Sequence, residues 1–260
     1  MSVLLARKFD VNKHAYDSSG SPMQWLASEK LDGMRAYWNG ENLVTRNNNK
    51  ICAPTWFIEE LPRNQHLDGE LFIERGSFQK IISACRKKTP VDSEWRRITY
   101  QVFDLPNLSE PFKVRYKALK SLCNSLPAHI MCVDHNYCDT EAVLPLLSEL
   151  ESLGAEGLML RDPSSLYEPK RSHTLLKVKS FLDADATVIG YEEGTGKNEG
   201  RMGSLRCVLD DGTEFSIGSG FTDFQRCHPP SIGERITFSY FELTENGVPR
   251  FPVFIGIRGD

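Results

Sequence analysis

The chain has 260 residues, 40% hydrophobic and 25% charged, with a formal net charge of -4. That length suits one large domain or two modest ones, the composition is that of a folded globular protein, and no run approaches the ~18 apolar residues of a membrane span. The negative balance counts against a generic nucleic-acid binder, for which a basic domain is expected, although binding depends on local fields.

Met1 to Asp10 carries Arg7, Lys8 and Asp10 and no long apolar core, so it does not read as a secretory signal. Cys52, Cys85, Cys123, Cys132, Cys138, Cys207 and Cys227 are odd in number and form no CxxC pair. That pattern points to free thiols in a reducing cytosol and away from a zinc site. The first segment with chemistry in it is Glu29-Lys30-Leu31-Asp32-Gly33-Met34-Arg35, a K-x-D-G-x-R pattern. Lysine attacks phosphorus only as a neutral amine, which neighbours or a bound metal favour. Asp32 stands where it can orient that amine, and an Asp-Gly turn lets backbone approach a nucleotide. Arg35 offers a planar fork for phosphate or ribose oxygens. By itself the segment reads equally well as an exposed lysine and arginine flanking a hairpin turn.

Asn39-Gly40 then signals a hairpin leading into Leu43-Val44. Thr55 is the expected cap of a short helix through Glu60, stopped by Pro62. Asp68-Gly69-Glu70 opens an apolar strand over 68–73, and Ser77 is the expected cap of a helix with Ile81, Ile82, Ala84 and Cys85 on one side. Arg86-Lys87-Lys88, with Arg96-Arg97, reads as a phosphate track or as a solvated helix end. The strand over 98–104 holds Phe103, and an aromatic in a strand is more often core than a stacking platform. Tyr116, Leu119 and Leu122 recur at spacing three, which predicts an amphipathic helix over 112–126. A second helix is expected from about Thr140 to Leu153, ended by Gly154 and kinked by Pro145. Glu156 begins the strand over 156–161, and its carboxylate is a hard oxygen ligand suited to Mg²⁺. Lys177 and Lys179 alternate with Leu176 and Val178, so both lysines share one strand face. Two lysines so placed repel unless solvent screens them or an anion, such as a nucleotide phosphate, lies between them. With Lys170-Arg171 they make a second basic stretch.

The texture changes after about residue 180. Strands are expected over Ala186–Tyr191, Leu205–Leu209, Glu214–Ile217, Ile236–Phe241 and Val253–Ile257, with turns at Asp210-Asp211-Gly212 and Asn246-Gly247. Five short strands in about eighty residues predict a small β-barrel, of OB or SH3-like type. Residues 194–203, rich in Gly, Lys and Arg, are expected to form a mobile loop.

The K-x-D-G-x-R segment is followed by Asp68-Gly69-Glu70-Leu71-Phe72, Tyr100-Gln101-Val102-Phe103-Asp104-Leu105, Glu156-Gly157-Leu158-Met159-Leu160-Arg161, Leu175-Leu176-Lys177-Val178-Lys179 and Pro249-Arg250-Phe251-Pro252-Val253-Phe254-Ile255-Gly256-Ile257-Arg258. In this order they resemble the nucleotidyltransferase motifs of ATP-dependent DNA ligases over nearly the whole chain. The likeness is greatest to the minimal ligases of viruses, phages and bacteria, which carry a catalytic core and an OB domain only. One motif matches by chance; an ordered series of six does not.

The resemblance implies an α+β protein: a nucleotidyltransferase (ATP-grasp-like) catalytic domain at 1–180, followed by a small OB-fold barrel at 181–260. It implies that Lys30 carries AMP with Asp32 beside it. It makes Glu29, Arg35, Glu70, Phe103, Lys177, Lys179 and Arg250 nucleotide contacts, Phe103 stacking on adenine and Arg250 meeting the β and γ phosphates. Glu156 and Glu70 would bind Mg²⁺. Arg46, in Thr45-Arg46-Asn47, would meet the nick 5′-phosphate, with Arg86, Lys87 and Lys88 as further DNA contacts. ATP and Mg²⁺ are the implied cofactors and nicked duplex DNA the partner, with no membrane association, a monomeric state and a cytoplasmic location. Asp260 is the residue available for the acidic position that follows the last motif, and nothing between 195 and 235 resembles the long insert by which some viral ligases clamp DNA. The alternatives are an RNA ligase or a GTP-using capping enzyme, and a non-catalytic nick-binding module. The Arg-Phe-Pro-Val-Phe ending disfavours the first two, and intact Lys30, Glu156, Lys177 and Lys179 disfavour the third.

Overall fold

The computed structural model describes residues 3–17, 20–240, 243–244 and 246–258, and the chain divides into two units, Met1–Lys179 and Ser180–Asp260. The strands of the first unit are β1 (Leu5–Lys8), β2 (Gln24–Glu29), β3 (Met34–Trp38), β4 (Leu43–Thr45), β5 (Leu67–Phe72), β6 (Thr99–Asp104), β7 (Ile130–Cys132), β8 (Asn136–Asp139), β9 (Leu158–Arg161) and β10 (Arg171–Val178). Its helices are α1 (Val11–His14), α2 (Thr55–Glu59), α3 (Phe78–Cys85), α4 (Asp92–Trp95), α5 (Phe112–Cys123) and α6 (Val143–Ser152). The strands form two five-stranded sheets, in the orders β4-β3-β5-β6-β7 and β1-β10-β9-β2-β8.

Side chains alternate across a strand, and that period sorts each sheet into an apolar and a polar face. In the first sheet Ala36, Trp38, Leu67, Leu71, Tyr100 and Val102 pack with Phe57 of α2, Ile81 and Ala84 of α3, Trp95 of α4 and Leu119 of α5. In the second, Trp25, Ala27, Leu158, Leu160, Leu176 and Val178 pack with Val143 and Leu147 of α6. Each large side chain so buried contributes roughly 1.5–3 kcal/mol. The residues between them point the other way: Arg35, Asp68, Glu70 and Phe103 from one sheet, Arg161 and Lys177 from the other. These polar faces are the ones that meet.

A buried charge cluster joins them. Asp104, at the end of β6, accepts Nε and Nη2 of Arg115 on α5 at 2.6 and 2.9 Å, and Nη1 of Arg161 on β9 at 2.8 Å. Arg115 also donates Nη1 to the carbonyls of Glu110 and Ser165. No side chain of the three is more than 4% exposed. Burial alone would raise the Asp104 carboxyl, but the guanidiniums of Arg161 and Arg115 outweigh it and hold that carboxyl below its ordinary value.

The second unit contains β11 (Leu182–Glu193), β12 (Met202–Val208), β13 (Glu214–Ile217), β14 (Arg235–Tyr240), β15 (Val253–Ile257) and the short helix α7 (Asp223–Cys227). Its sheet runs β13-β12-β11-β14-β15. Ala186, Val188, Leu205, Ile217, Ile236 and Phe238 make its core. The edges approach each other at a single parallel bridge, Ser219 to Val253. Gly220 permits this: with φ +93°, it lies so close to Phe254 that a Cβ would sit 2.3 Å from the Phe254 carbonyl oxygen. One bridge is not a ladder, so the five strands make a partly open barrel, as expected of an OB-type domain.

Some local expectations are corrected. Thr55 is the first residue of α2, after Pro54, and makes no cap hydrogen bond. Ser77 holds the N-cap position of α3, but its hydroxyl donates to Glu74. Pro145 falls in the first turn of α6, because Thr140–Ala142 form a separate 3₁₀ turn capped by the Asp139 carboxylate. A proline there forfeits no helical hydrogen bond and needs no kink. Residues 194–203 form an ordered connection, with Gly194 N–H donating to the Arg201 carbonyl and Arg201 paired with Asp223. Phe241 and Asp260 lie outside the described residues. The seven cysteines are free thiols. Among the described residues no helix is long and apolar enough to cross a membrane.

The Asp104 cluster yields the first prediction. Asp104→Asn removes the anion from between two buried guanidiniums, and about 3–5 kcal/mol of stability should be lost in urea unfolding. A loss under about 1 kcal/mol would mean that the two arginines find compensation elsewhere.

Candidate active site

Lys30 leaves the end of β2 with its N–H bonded to the Gly157 carbonyl at 2.9 Å. Gly157 has φ +147°, and a Cβ there would meet the Val178 carbonyl oxygen at 2.4 Å, so the position accepts no side chain. This close approach gathers β2, β9 and β10 around Glu156. The Glu156 carboxylate takes the Lys30 ammonium on one oxygen at 2.5 Å and the Lys179 ammonium on the other. Glu156 is 8% exposed, Lys30 24% and Lys179 13%. Gly33 is required for a similar reason: a Cβ would sit 2.2 Å from the Leu71 carbonyl oxygen, so the Asp-Gly turn lies directly on β5.

The opposite wall comes from β3, β5 and β6. Arg35 grips Asp68 with Nε at 2.9 Å and Nη2 at 2.5 Å. Asp68 also accepts the Tyr167 hydroxyl at 2.7 Å, and Tyr167 in turn accepts the Leu4 N–H. Held in this way, the Arg35 guanidinium lies 5.2 Å from the centre of the Phe103 ring, in cation–π range. Glu70 stands directly across from Arg35 in the ladder. Desolvation pushes the Glu70 carboxyl up to about 8, with Glu156 and Asp68 adding to the rise and Lys30 and Arg35 opposing it. Burial and the charge of Lys30 lower Lys177. Burial likewise lowers Lys179, where Glu156 opposes the shift and Lys30 adds to it. A cavity that strains both its cations and its unpaired carboxyl is suited to a ligand of mixed charge, such as a triphosphate with a divalent cation.

Lys30, Arg35, Glu70, Phe103, Glu156, Lys177 and Lys179 are thus brought to one place, with Asp32 half-buried in the adjoining turn. Within the first unit, Glu29, Arg46, Arg86, Lys87 and Lys88 are placed or engaged elsewhere. The Glu29 carboxylate is held by Arg75 at 2.9 and 2.8 Å. At the site, Arg35 gives its fork to Asp68. Arg46 lies exposed in the turn after β4. Arg86, Lys87 and Lys88 follow α3, which packs on the apolar side of its sheet, and Lys87 is paired with Glu94 at 2.5 Å. Arg250 belongs to the second unit, its guanidinium 5.4 Å from the Phe251 ring centre. Asp68, Arg161 and Tyr167 were not anticipated as site-forming residues. Asp68 stood inside a recognised motif, but its bond to Arg35 is a diagonal across two strands. Tyr167 carried no signal at all.

The Glu70 environment predicts a pH dependence. The folded state holds a proton on Glu70 that the unfolded state releases at an ordinary carboxylate value, so stability should fall as pH rises from about 4.5 to about 8. Glu70→Gln should remove that fall. Melting temperatures of the two proteins should diverge toward pH 8 in favour of the variant; parallel curves would refute the assignment.

Residues 4–179 match the family described as ATP dependent DNA ligase domain, and residues 193–258 the DNA ligase OB-like domain. A DNA ligase of Haemophilus influenzae is 37% identical over 251 residues, covering 93% of this chain and 89% of that one. DNA ligase 2 of Methanosarcina acetivorans is 30% identical and covers 83% of this chain, which spans 44% of that longer protein. Among solved structures, a Lig E DNA ligase superposes with TM-score 0.90 at 36% identity, over 99% of each chain. Chlorella virus DNA ligase-adenylate follows at TM-score 0.57 and 28% identity, over 99% of each chain. With two matched domains and a relative matched almost end to end, the chain belongs to the ATP-dependent DNA ligases.

Proposed function

We propose that this ligase seals nicks between a 5′-phosphate and a 3′-hydroxyl in duplex DNA, with Lys30 as the carrier of AMP. The observation that carries the reading is the convergence of Lys30, Glu156, Lys177 and Lys179 opposite Phe103 and Glu70. A nucleophilic amine, a carboxylate to take its proton and two further cations for phosphate are what adenylyl transfer asks of a protein.

In the first step the Lys30 amine attacks the α-phosphorus of ATP. The N–P bond forms as the bond to the β-phosphate oxygen breaks, and pyrophosphate leaves with the electron pair. The amine proton passes to Glu156, already in hydrogen-bond contact with it. Lys177 and Lys179 offset the charge on the phosphate as it reorganises, and Phe103, backed by Arg35, stacks on the adenine. In the second step a 5′-phosphate oxygen of the nick attacks the adenylyl phosphorus, the N–P bond breaks, and Lys30 regains a proton. In the third the 3′-hydroxyl attacks the adenylated 5′-phosphate, AMP leaves and the strand is joined. Phosphoryl transfer of this kind is mostly positioning and charge stabilisation.

Glu70 and Glu156 offer the hard oxygens that Mg²⁺ prefers. Among the described residues no group of three acidic, His or Cys side chains could hold a metal ion alone, so phosphate oxygens and water would complete the shell. When bound, the ion would supply shielding of the triphosphate. Arg46, Arg86 and Lys88 are exposed proposed DNA contacts with no carboxylate bonded to them among the described residues, whereas Lys87 has Glu94. The single chain carries every group named here, which supports action as a monomer, and its free thiols support a cytoplasmic site of action.

Two outcomes check the reading. With ATP and Mg²⁺, the wild type should convert a nicked duplex to sealed strand, while Lys30→Ala should neither seal nor retain label from ATP; equal labelling of both proteins would remove Lys30 from its role. Arg250→Ala should slow lysyl-AMP formation by about 10²–10³, the size of one lost contact to developing phosphate charge. The same variant should seal a pre-adenylated nick at close to the wild-type rate, because no β or γ phosphate is then present. If both rates fall together, Arg250 serves the fold or the DNA instead.

A further inference from the structure

The edge of the second sheet of unit one carries a run of cations on an acidic protein. β1 lies parallel to β10, with Lys8 opposite Lys177 of the active site. Between the partners of Ala6 and Arg7 the register jumps from Ser172 to Leu176, so His173, Thr174 and Leu175 have no partner on β1. Bulges of this kind re-aim side chains. Here the bulge brings His173 Nδ1 within 3.1 Å of His14 Nε2. His14 Nδ1 lies 3.0 Å from both the N–H and the carbonyl oxygen of Asp10, and its Nε2 faces His173. Arg7, Lys8, Lys13, Lys170, Arg171 and His173 are exposed.

Two imidazole nitrogens 3.1 Å apart also have the spacing of neighbouring ligands on a metal ion, but the local field opposes a cation. Slight desolvation, then Arg7, His14 and Lys13, hold His173 below the ordinary imidazole value. Arg171 and Lys8 likewise help to lower Lys177. The nearby acids are already engaged: Asp10 with Lys13 at 3.1 Å, Glu168 with Lys170 at 3.1 Å, and Asp162 with the N–H and hydroxyl of Ser164. These pairs offset Lys13 and Lys170 in part, but Arg7, Lys8, Arg171 and His173 remain a surface on which cations depress one another, which favours an anion, and its line of charge ends at the active site.

We propose that this edge, from Lys177 through Lys8 and Arg171 to Arg7, Lys13 and the His14–His173 pair, is a track for the phosphodiester backbone of the DNA, and that binding there takes up a proton on His173. The proposal rests on the ligase reading and adds to it a surface and a pH dependence. Phosphate beside His173 opposes the field of Arg7 and Lys13 on that imidazole, so binding should tighten as pH falls.

Binding of a nicked duplex is measured against salt and against pH for wild type, Arg7→Gln/Lys13→Gln, Arg7→Lys and His173→Gln. Each phosphate contact contributes roughly 0.9 to the log–log salt slope, so the double variant should be flatter by about 1–2 and Arg7→Lys should keep the wild-type slope. Wild-type affinity should rise about tenfold from pH 8 to pH 6 at constant ionic strength, the equivalent of one unit of pKa shift, and His173→Gln should abolish that rise. Self-adenylation by ATP alone should be unchanged in all of them. A wild-type slope in the double variant or a wild-type pH profile in His173→Gln would overturn the track, as would a slope that Arg7→Lys alters as much as the double variant. A wild type that adenylates itself yet neither binds nor seals nicked DNA would instead overturn the DNA substrate reading.

Discussion

Two charged sheet faces are closed against each other in the first unit, and every charge between them has to be answered without bulk water. Burying an unpaired ion costs several kcal/mol, so the fold depends on three carboxylates, each of which accepts hydrogen bonds from more than one segment of the chain. Asp104 holds Arg115 and Arg161. Asp68 holds Arg35 and the Tyr167 hydroxyl. Glu156 holds Lys30 and Lys179. The first is nearly sealed from solvent and joins β6, α5 and β9. The last is the most open, and it is the one where a substrate would replace the internal partners. Stability and chemistry thus use the same kind of contact, graded by access to water.

That grading explains which groups are strained. Glu70 has cations near it but none bonded to it, and burial raises its carboxyl. Lys177 is surrounded by Lys30, Arg171 and Lys8 and is lowered. Both shifts signal electrostatic work that a bound nucleotide and cation would relieve. Perturbed titrating groups in a cleft are a common mark of a functional site, and here they cluster around the lysine of the K-x-D-G-x-R segment rather than elsewhere in the unit.

The parts of the site legible in the sequence are those fixed by short spacing. Period two predicts Lys177 and Lys179 on one strand face; in the structure β10 ends at Val178, and Lys179, one residue beyond it, bonds Glu156. Gly33 and Gly157 stand where backbone passes too close for any side chain. What was not legible depends on pairing across long separations. The parallel contact of β1 with β10 joins residues more than 160 apart, and the Asp104 bond to Arg161 crosses a separation of 57. No local pattern announces either. Cap rules failed at Thr55 and Ser77 because the neighbouring proline and Glu74 supplied other geometry. Pro145 was misjudged because a 3₁₀ turn absorbed the residues before it.

The account stands or falls on where the nucleotide becomes attached. Protein incubated with ATP and Mg²⁺, then digested and sequenced by tandem mass spectrometry, should carry a single adenylyl group on the peptide containing Lys30, and on that residue. An adenylyl group on Lys177, on Lys179 or on any other residue, with Lys30 unmodified, would contradict it.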